Sequence, residues 1–406
     1  MGAGIAGSLT GWPRWLAAKS VAPFRIRTIT AGVPLKNVAD LASLDAAFTF
    51  LAAAREAFVE VGYELQTVRI ATQPLAEYLP EWARPASIEL LRRLDQHAAD
   101  GGAGFCIGPV LTRDEAVPDF APWAADFVTA AGHTSFTALA ASAASGVHYR
   151  AAQSAAEAIS AIAGATPGGE GNFRFAATAM CPPGTPFFPA AWHAGTPAFS
   201  IGLESPGLLQ AAFEQASDMA DAKIALMARM NAALRPLEAL AQTLAGATGW
   251  HYLGIDASPA PGLDASIGLA IETLSGAPFG SPSTLAACAA ITDVLKGLAV
   301  KTCGYSGLML PVLEDRVLAQ RAAEGRYGVS DLLLYSSVCG TGLDVVPLPG
   351  DVPVDQLAAL IIDMAALAAK YAKPLSARLF PVPGKTAGET VTFDNPYLTD
   401  AVVMTL

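Results

Sequence analysis

FRIRTI (residues 24–29), an Ala-rich stretch (residues 39–61) and ELQTVRI (residues 64–70) follow one another near the start of the chain. The two outer runs are short and contain β-branched side chains, which is typical of strands. The stretch between them has the length and composition of a helix. A strand, a helix and a second strand at this spacing predict two parallel strands joined by an outer helix, and therefore an α/β fold.

The same alternation continues to the end of the 406-residue chain. It predicts a mainly parallel sheet with the helices outside. The ten predicted strands are Phe24–Ile29, Glu64–Ile70, Gly104–Val110, Ser135–Ala140, Phe173–Ala179, Phe199–Leu203, Tyr252–Ile255, Gly307–Val312, Leu343–Pro347 and Ala377–Pro381. The predicted helices are Ala39–Val61, Ser87–Ala99, Ala151–Ile162, Leu208–Ala245, Ala265–Leu274, Pro282–Leu298, Asp315–Glu324 and Val354–Tyr371. We expect a single domain over residues 24–406, preceded by an N-terminal arm, residues 1–23.

Composition and charge argue against two classes of protein. Hydrophobic residues make up 52% of the chain and charged residues 15%, which favours a large buried core. The most apolar stretch, residues 357–371, contains Asp363 and Lys370, so it does not have the character of a membrane helix. The net charge of −11 and the scattered Lys and Arg residues argue against nucleic acid as a partner.

The cysteines and the N-terminus favour the cytoplasm. The five cysteines are widely spaced, odd in number and without a CxxC pair, so we expect reduced thiols. Residues 1–23 lack the basic region, the continuous apolar run and the cleavage site of a signal peptide. The Ala-rich helix surfaces favour a homo-oligomer.

Several motifs along the chain resemble those of one protein family. They lie at residues 25–32, 61–72, 172–193, 199–205, 254–258, 337–344, 349–351 and 378–385. Taken together, they are similar to the family named as a domain of unknown function, number seven-eleven, from about residue 24 to the end. The resemblance implies a ten-stranded α/β barrel like that of pyruvate formate-lyase, without an assigned reaction.

Loops rich in Pro and Gly follow many of the predicted strands. Examples are residues 181–186, 256–262, 348–351 and 382–385. Such loops follow a rigid course and hold polar groups at fixed places. Because the carboxyl ends of strands carry the site in parallel α/β folds, we expect the site at one barrel mouth, among these loops.

Arg174, Cys181 and His193 lie on and after one predicted strand and form a first set of candidates. Arginine suits a carboxylate or a phosphate, and histidine can act as an acid or a base near neutral pH. Alternatively, Arg174 pairs with a carboxylate of the barrel, His193 caps a loop, and Cys181 has a structural role. We predict substrate contacts for Arg174 and Cys181 and a catalytic role for His193.

Acidic side chains form a second set of candidates. Glu204 and Asp256 each end a predicted strand, and Glu314 and Asp344 lie near later ones. A carboxylate in such a place is costly unless it is paired, hydrogen-bonded or bound to metal. Converging carboxylates would transfer protons or hold a divalent cation, whereas the alternative for Glu204 and Asp256 is a capping role. We predict catalytic roles for Glu204, Asp256 and Glu314, and a substrate contact for Asp344.

The motifs of the common nucleotide cofactors are missing from the sequence. No GxGxxG follows a predicted strand and no GxxxxGK[ST] occurs, so we expect no nucleotide cofactor. Residues 301–307 superficially resemble the Arg-x-x-Gly-Tyr loop of glycyl-radical enzymes. The short chain and the distance of Gly304 from the C-terminus oppose that interpretation, and a turn that uses glycine is the alternative.

The favoured hypothesis is a non-radical enzyme of the lyase or hydrolase type that acts on a small carboxylate-bearing metabolite. It would use acid/base or divalent-metal-assisted chemistry at the barrel mouth. One alternative is a ligand-binding or regulatory protein without turnover, and a second is a glycyl-radical enzyme.

Overall fold

The computed structural model describes residues 24–262 and 264–406, and the predicted arm at residues 1–23 lies outside them. A ten-stranded sheet, largely parallel, runs through this part of the chain. Its strands are β1 (Arg25–Gly32), β2 (Leu65–Ala71), β3 (Gly104–Leu111), β4 (Thr134–Ser142), β5 (Gly146–Val147), β6 (Phe175–Ala179), β7 (Ala198–Glu204), β8 (His251–Asp256), β9 (Gly342–Pro349) and β10 (Leu375–Val382). A separate antiparallel pair consists of β11 (Thr390–Val391) and β12 (Ala401–Val402).

The large sheet contains parallel groups of strands that run in opposite directions. β1, β2, β3, β4 and β6 form one group of five parallel neighbours. β7 and β8 form a parallel pair that lies antiparallel to β1, and β9 and β10 form a pair antiparallel to β6. The amino ends of the five-stranded group therefore lie at the same end of the sheet as the carboxyl ends of the two pairs.

Helices connect most of the strands and cover the sheet. They are α1 (Leu41–Glu60), α2 (Ala86–Asp100), α3 (Phe120–Ala130), α4 (Tyr149–Ala165), α5 (Pro206–Phe213), α6 (Met219–Thr248), α7 (Ile267–Ser275), α8 (Thr284–Lys296), α9 (Arg316–Ala323), α10 (Val329–Ser336) and α11 (Val354–Tyr371). Buried aromatic rings join helix to sheet, as where Phe127 of α3 packs on Phe136 of β4. None of the helices in the described residues is both long and apolar enough to cross a membrane.

Nine of the ten predicted strands coincide, within a few residues, with β1–β4 and β6–β10. The prediction of a strand at Gly307–Val312 is wrong, because this segment makes only one isolated bridge, from Pro311 to Asp344. Gly304 and Ser306, just before it, have positive φ angles, and Pro311 has no amide hydrogen to donate. The segment therefore cannot continue a ladder of hydrogen bonds.

The predicted helix Leu208–Ala245 is also wrong as a single element, since the chain forms α5 and α6 there. The side chain of Asp218 accepts a hydrogen bond from the backbone N–H of Asp221 and so begins a new helix. The sequence also did not predict α3 and α10.

Two loop segments position the site. Residues 302–311 lie between the edge strands, with Thr302 bridged to Ile255 of β8 and Pro311 bridged to β9. Residues 185–191 pack against the five-stranded group, where the Thr30 hydroxyl donates to the carbonyl of Pro186 at 2.8 Å. The two segments share a small apolar cluster, made by Cys181, Phe187, Ala190, Ala260, Tyr305 and Met309.

Candidate functional site

A cavity of about 980 Å³ lies against β1, β2, β9 and β10. Residues 187–190 and Tyr305 form part of its wall. The cavity reaches the surface near the amino ends of β4 and β6, where His133 and Pro167 line it and are exposed. Its volume is within the range of cavities that hold small molecules.

Arg69 of β2 lines this cavity and has no hydrogen-bonding or ion-pair partner among the described residues. Its Cζ lies 4.8 Å from the centre of the Phe188 ring. Burial, and then repulsion from Arg27, lower the pKa of Arg69 to about 10, so the guanidinium is still charged at neutral pH. A half-buried guanidinium without a counter-ion among the described residues has the charge and the free N–H groups to pair with an anion.

Arg378 of β10 holds two carboxyl groups in the same cavity. Its Nη2 lies 2.8 Å from Oε1 of Glu314 and 2.7 Å from Oδ1 of Asp344. Burial raises the pKa of Asp344 against the opposing effect of Arg378, and the neighbouring Glu314 raises it further. Two carboxyl groups that share one cation can hold a proton between them, so that one serves as an acid while the other serves as a base.

Glu204 lies in the space next to this cluster. At the end of β7, it accepts hydrogen bonds from Arg25, Arg27 and Gln66, each at 2.9 Å. It lines a smaller cavity of about 140 Å³, and Arg27 and Glu314 line both cavities. Within residues 24–262 and 264–406, no three His, Cys, Asp or Glu side chains cluster as metal ligands do.

Sequence comparison relates this chain to known proteins. Residues 20–394 match the family described as Uncharacterised ACR (DUF711). The chain belongs to the DUF711 family. The resemblance drawn from the motifs is thereby confirmed.

Members of two genera illustrate how far the similarity extends. The UPF0210 protein of Pyrobaculum islandicum is 32% identical over 358 residues, which cover 83% of this chain and 78% of the relative. The UPF0210 protein of Desulforudis audaxviator is 29% identical over 398 residues, 91% of this chain and 88% of the relative. These names carry no reaction.

Arg174 and Cys181, the other predicted substrate-binding residues of this DUF711 chain, bond to backbone carbonyl groups. Arg174 lies at the cavity wall just before β6, and its guanidinium donates to carbonyl groups at the end of α3 and just beyond it. Burial raises the pKa of the Cys181 thiol to about 12, and the thiol donates to the carbonyl of Leu375 at 3.4 Å. The Arg174 guanidinium thus stabilises the end of α3. The Cys181 thiol is uncharged and bonds to the backbone. Both sets of contacts are structural.

His193 lies away from the cavity. Its backbone N–H donates to the carbonyl of Thr72, just after β2, and its ring packs on Gly32 at the carboxyl end of β1. Gly32 and Arg27 are five residues apart, which is roughly 16 Å along a strand. Burial lowers the pKa of His193, so the ring is neutral at physiological pH. The structure does not bring His193 together with Glu314 and Asp344.

Asp256, at the end of β8, holds a turn in place. The carboxylate is fully buried. Its oxygens accept hydrogen bonds from the backbone N–H groups of Ser258, Tyr305 and Ser306 and from the Ser258 hydroxyl, at 2.6–3.1 Å. Tyr305 and Ser376 line the cavity, and the Tyr305 hydroxyl donates to Oγ of Ser376 at 3.0 Å. Asp256 does not line the cavity and therefore affects its shape only by holding the turn that carries Tyr305.

Sequence reasoning missed Arg27, Arg69, Arg378 and Tyr305. Each of the three arginines lies inside a strand, as in TVRIA at residues 67–71 and SARLF at residues 376–380. A charged side chain within an otherwise apolar strand is costly unless it faces a partner or a cavity. That signal could have found all three arginines.

Replacing Gly32 with Ala tests the packing of His193. A Cβ at residue 32 would lie 2.2 Å from Nδ1 of His193, so we expect a loss of about 1–3 kcal/mol in the free energy of unfolding. Urea denaturation of Gly32→Ala, His193→Ala and the double variant measures the contact. The double variant should regain part of the loss, whereas simple addition of the two single losses would contradict the contact.

Proposed function

We propose that this chain is a non-radical enzyme of the lyase or hydrolase type that binds a carboxylate-bearing small molecule in the larger cavity. The observation that carries the proposal is Arg69, which is charged at neutral pH and lacks an ion-pair partner among the described residues. A ligand carboxylate would supply that partner through two parallel N–H···O bonds. Glu314 and Asp344 would act on the ligand held there.

The charge balance of the cavity favours a carboxylate over a phosphate. Arg27 is paired with Glu204, and Arg378 is paired with Glu314 and Asp344. The guanidinium of Arg174 also lines the cavity but donates to backbone carbonyl groups. Arg69 is then the arginine left to bind the ligand, and it balances a single negative charge. A phosphate group carries about 1.5–2 negative charges at pH 7 and would also meet the Glu314 carboxylate.

In this proposal, Glu314 and Asp344 transfer protons. The protonated member of the pair donates to a leaving group, and the ionised member accepts a proton from the ligand or from water. Arg378 keeps both groups in place and balances their charge. Because both carboxyl groups are already paired with Arg378, acid/base chemistry is favoured over the metal-assisted alternative. Lyase and hydrolase reactions need no electron carrier.

We also infer that the sheet closes into a barrel like that of pyruvate formate-lyase. The bridges from Ile255 to Thr302 and from Asp344 to Pro311 join both edge strands to one segment, which supports closure. A barrel of this kind would enclose the cavity among its strands.

A cytoplasmic location and a homo-oligomeric state belong to the same proposal. The cysteines of the described residues are all free, which favours a reducing compartment. Size-exclusion chromatography with light scattering tests the oligomeric state, and a monomeric mass would contradict it.

Replacing Arg69 with Met is expected to weaken carboxylate binding by about 100-fold, equivalent to about 2.8 kcal/mol. The thermal midpoint should not fall, because Arg69 makes no ion pair within the described residues. Isothermal titration of the purified protein with sodium propanoate, succinate, 3-phenylpropanoate and phosphate measures the affinities. We expect at least one carboxylate to bind and phosphate not to bind.

The control variant is Arg92→Met, which removes an exposed arginine of α2 that pairs with Glu89. It should bind the acids as the wild type does. Unchanged affinity in Arg69→Met would contradict the proposed site. If NMR shows an acid that binds to remain unchanged after long incubation, the alternative of a ligand-binding protein is favoured over an enzyme.

A further inference from the structure

The larger cavity offers far more space than a small acid needs. Its volume is about 980 Å³, whereas a three- or four-carbon acid takes up roughly 100 Å³, the space of three or four water molecules at about 30 Å³ each. Ligand cavities usually bury most of the surface of the ligand they hold. A small acid bound at Arg69 would leave most of this space unfilled.

The wall beside Arg69 is aromatic and apolar. Phe188 is partly exposed, although every other residue from 184 to 191 is buried. The Arg69 guanidinium lies over its ring, and Ala190 and Met309 line the cavity nearby. The rest of the Phe188 ring is an apolar surface that a ligand at Arg69 can cover.

A second aromatic surface lies between Arg378 and Arg27. The rings of Phe173 and Tyr397 stack, with their centres 6.3 Å apart and their planes 8° apart. Phe173 lies 5.1 Å from Cζ of Arg378, and Tyr397 lies 5.3 Å from Cζ of Arg27. Both rings line the cavity. A ligand that extends from Arg69 along the cavity can therefore meet the Phe188 ring and the Phe173–Tyr397 pair, which all line it.

From this size and lining, we infer that the ligand is an aryl-substituted carboxylic acid. The inference rests on the proposed function of the cavity. The carboxylate of the ligand pairs with Arg69, and its ring packs beside Phe188 and toward the Phe173–Tyr397 pair. Ring contacts of this kind favour an aromatic group over a saturated group of the same size, because the edge of one ring is attracted to the face of another.

The test compares three propanoic acids that differ only in the substituent on the carbon atom farthest from the carboxylate. Isothermal titration of the full-length protein uses the sodium salts of propanoate, 3-cyclohexylpropanoate and 3-phenylpropanoate. The phenyl acid should bind at least about tenfold tighter than propanoate, because its ring is buried. It should also bind about threefold tighter than the cyclohexyl acid. Phe188→Leu should lower the affinity for the phenyl acid by a larger factor than the affinity for propanoate or the cyclohexyl acid, and so remove most of this preference.

Phe173→Leu repeats the comparison on the other aromatic surface, in case Phe188→Leu does not fold. If the phenyl acid binds no tighter than propanoate or the cyclohexyl acid, and Arg69→Met still weakens binding of the acids by about 100-fold, the aromatic inference is overturned and the proposed function stands. If no acid binds the wild type, or if Arg69→Met binds the three acids as tightly as the wild type does, the proposed function itself fails.

Discussion

Replacing Arg378 with Met is expected to lower the free energy of unfolding by about 3–5 kcal/mol. Arg378 is 6% exposed, and its Nη2 contacts both Glu314 and Asp344. Methionine fills part of the volume of the arginine side chain but leaves two carboxyl groups in a buried place without their cation. Urea denaturation at pH 7 measures the loss.

The loss in Arg378→Met should depend on pH. Burial already raises the pKa of Asp344, and removal of Arg378 removes the effect that opposes it. A carboxyl group whose pKa is higher in the folded state than in the unfolded chain takes up a proton on folding. Its contribution to the free energy of unfolding therefore becomes more unfavourable as the pH rises from the ordinary pKa of aspartate through the raised pKa. The variant should therefore be least stable at neutral and alkaline pH and regain stability as the pH falls towards 4.

Two controls separate the ion pairs from a simple loss of volume. Adding Glu314→Gln and Asp344→Asn to Arg378→Met removes the unpaired charges, so the triple variant should regain stability and lose most of the pH dependence. Arg92→Met, at an exposed ion pair, should leave the unfolding midpoint unchanged. An Arg378→Met protein as stable as the wild type between pH 4 and 8 would show that these ion pairs do not support the fold.

Local sequence patterns predicted most of the sheet because the ladders of β1–β4 and β6–β10 coincide with runs of β-branched and apolar residues. Gly307–Val312 has a similar composition but forms no ladder. The backbone at Gly304 and Ser306 turns out of the extended region, and this turn depends on the distant Asp256 carboxylate. Composition along the chain cannot report such a contact.

The site was only partly predictable because the strands run in two directions. The loops after parallel strands form one site only if all the strands run the same way, but the carboxyl ends of β6 and β7 lie at opposite ends of the sheet. Glu314 and Asp344 were predicted and do lie together, whereas His193 lies near the carboxyl ends of β1 and β2. Arg378 was missed because its partners, Glu314 and Asp344, are distant in the sequence. Arg69 was missed because its partner, in our proposal, is the ligand.

Replacing Asp256 with Ala is expected to destabilise the protein by at least about 3 kcal/mol. The substitution leaves the buried N–H groups of Ser258, Tyr305 and Ser306 without their acceptor. Urea denaturation measures the loss. Asp126→Ala, at an exposed aspartate of α3, is the matched control and should not change the midpoint.

The pH dependence identifies the carboxylate as the cause of the loss in Asp256→Ala. Burial raises the pKa of Asp256 despite its hydrogen bonds, so the folded protein holds this proton at pH values where the unfolded chain has released it. The stabilising contribution of Asp256 is therefore fully present below the ordinary pKa of aspartate and decreases as the pH rises through the raised pKa. The difference between wild type and Asp256→Ala should be largest in acid and smaller at neutral pH.

Asp256→Asn separates the hydrogen bonds of Asp256 from its charge. Oδ1 accepts from Ser258 and Ser306, whereas Oδ2 accepts from the backbone N–H of Tyr305. An asparagine that keeps its oxygen at the Oδ1 position loses only the bond to Tyr305, so its loss of stability should be smaller than that of Asp256→Ala. Because neither asparagine nor alanine titrates, the difference in stability between the two variants should be independent of pH. Because Tyr305 reaches Ser376 in the cavity, Asp256→Asn should also weaken binding of 3-phenylpropanoate. Unchanged stability and binding in both variants would mean that this turn does not depend on Asp256.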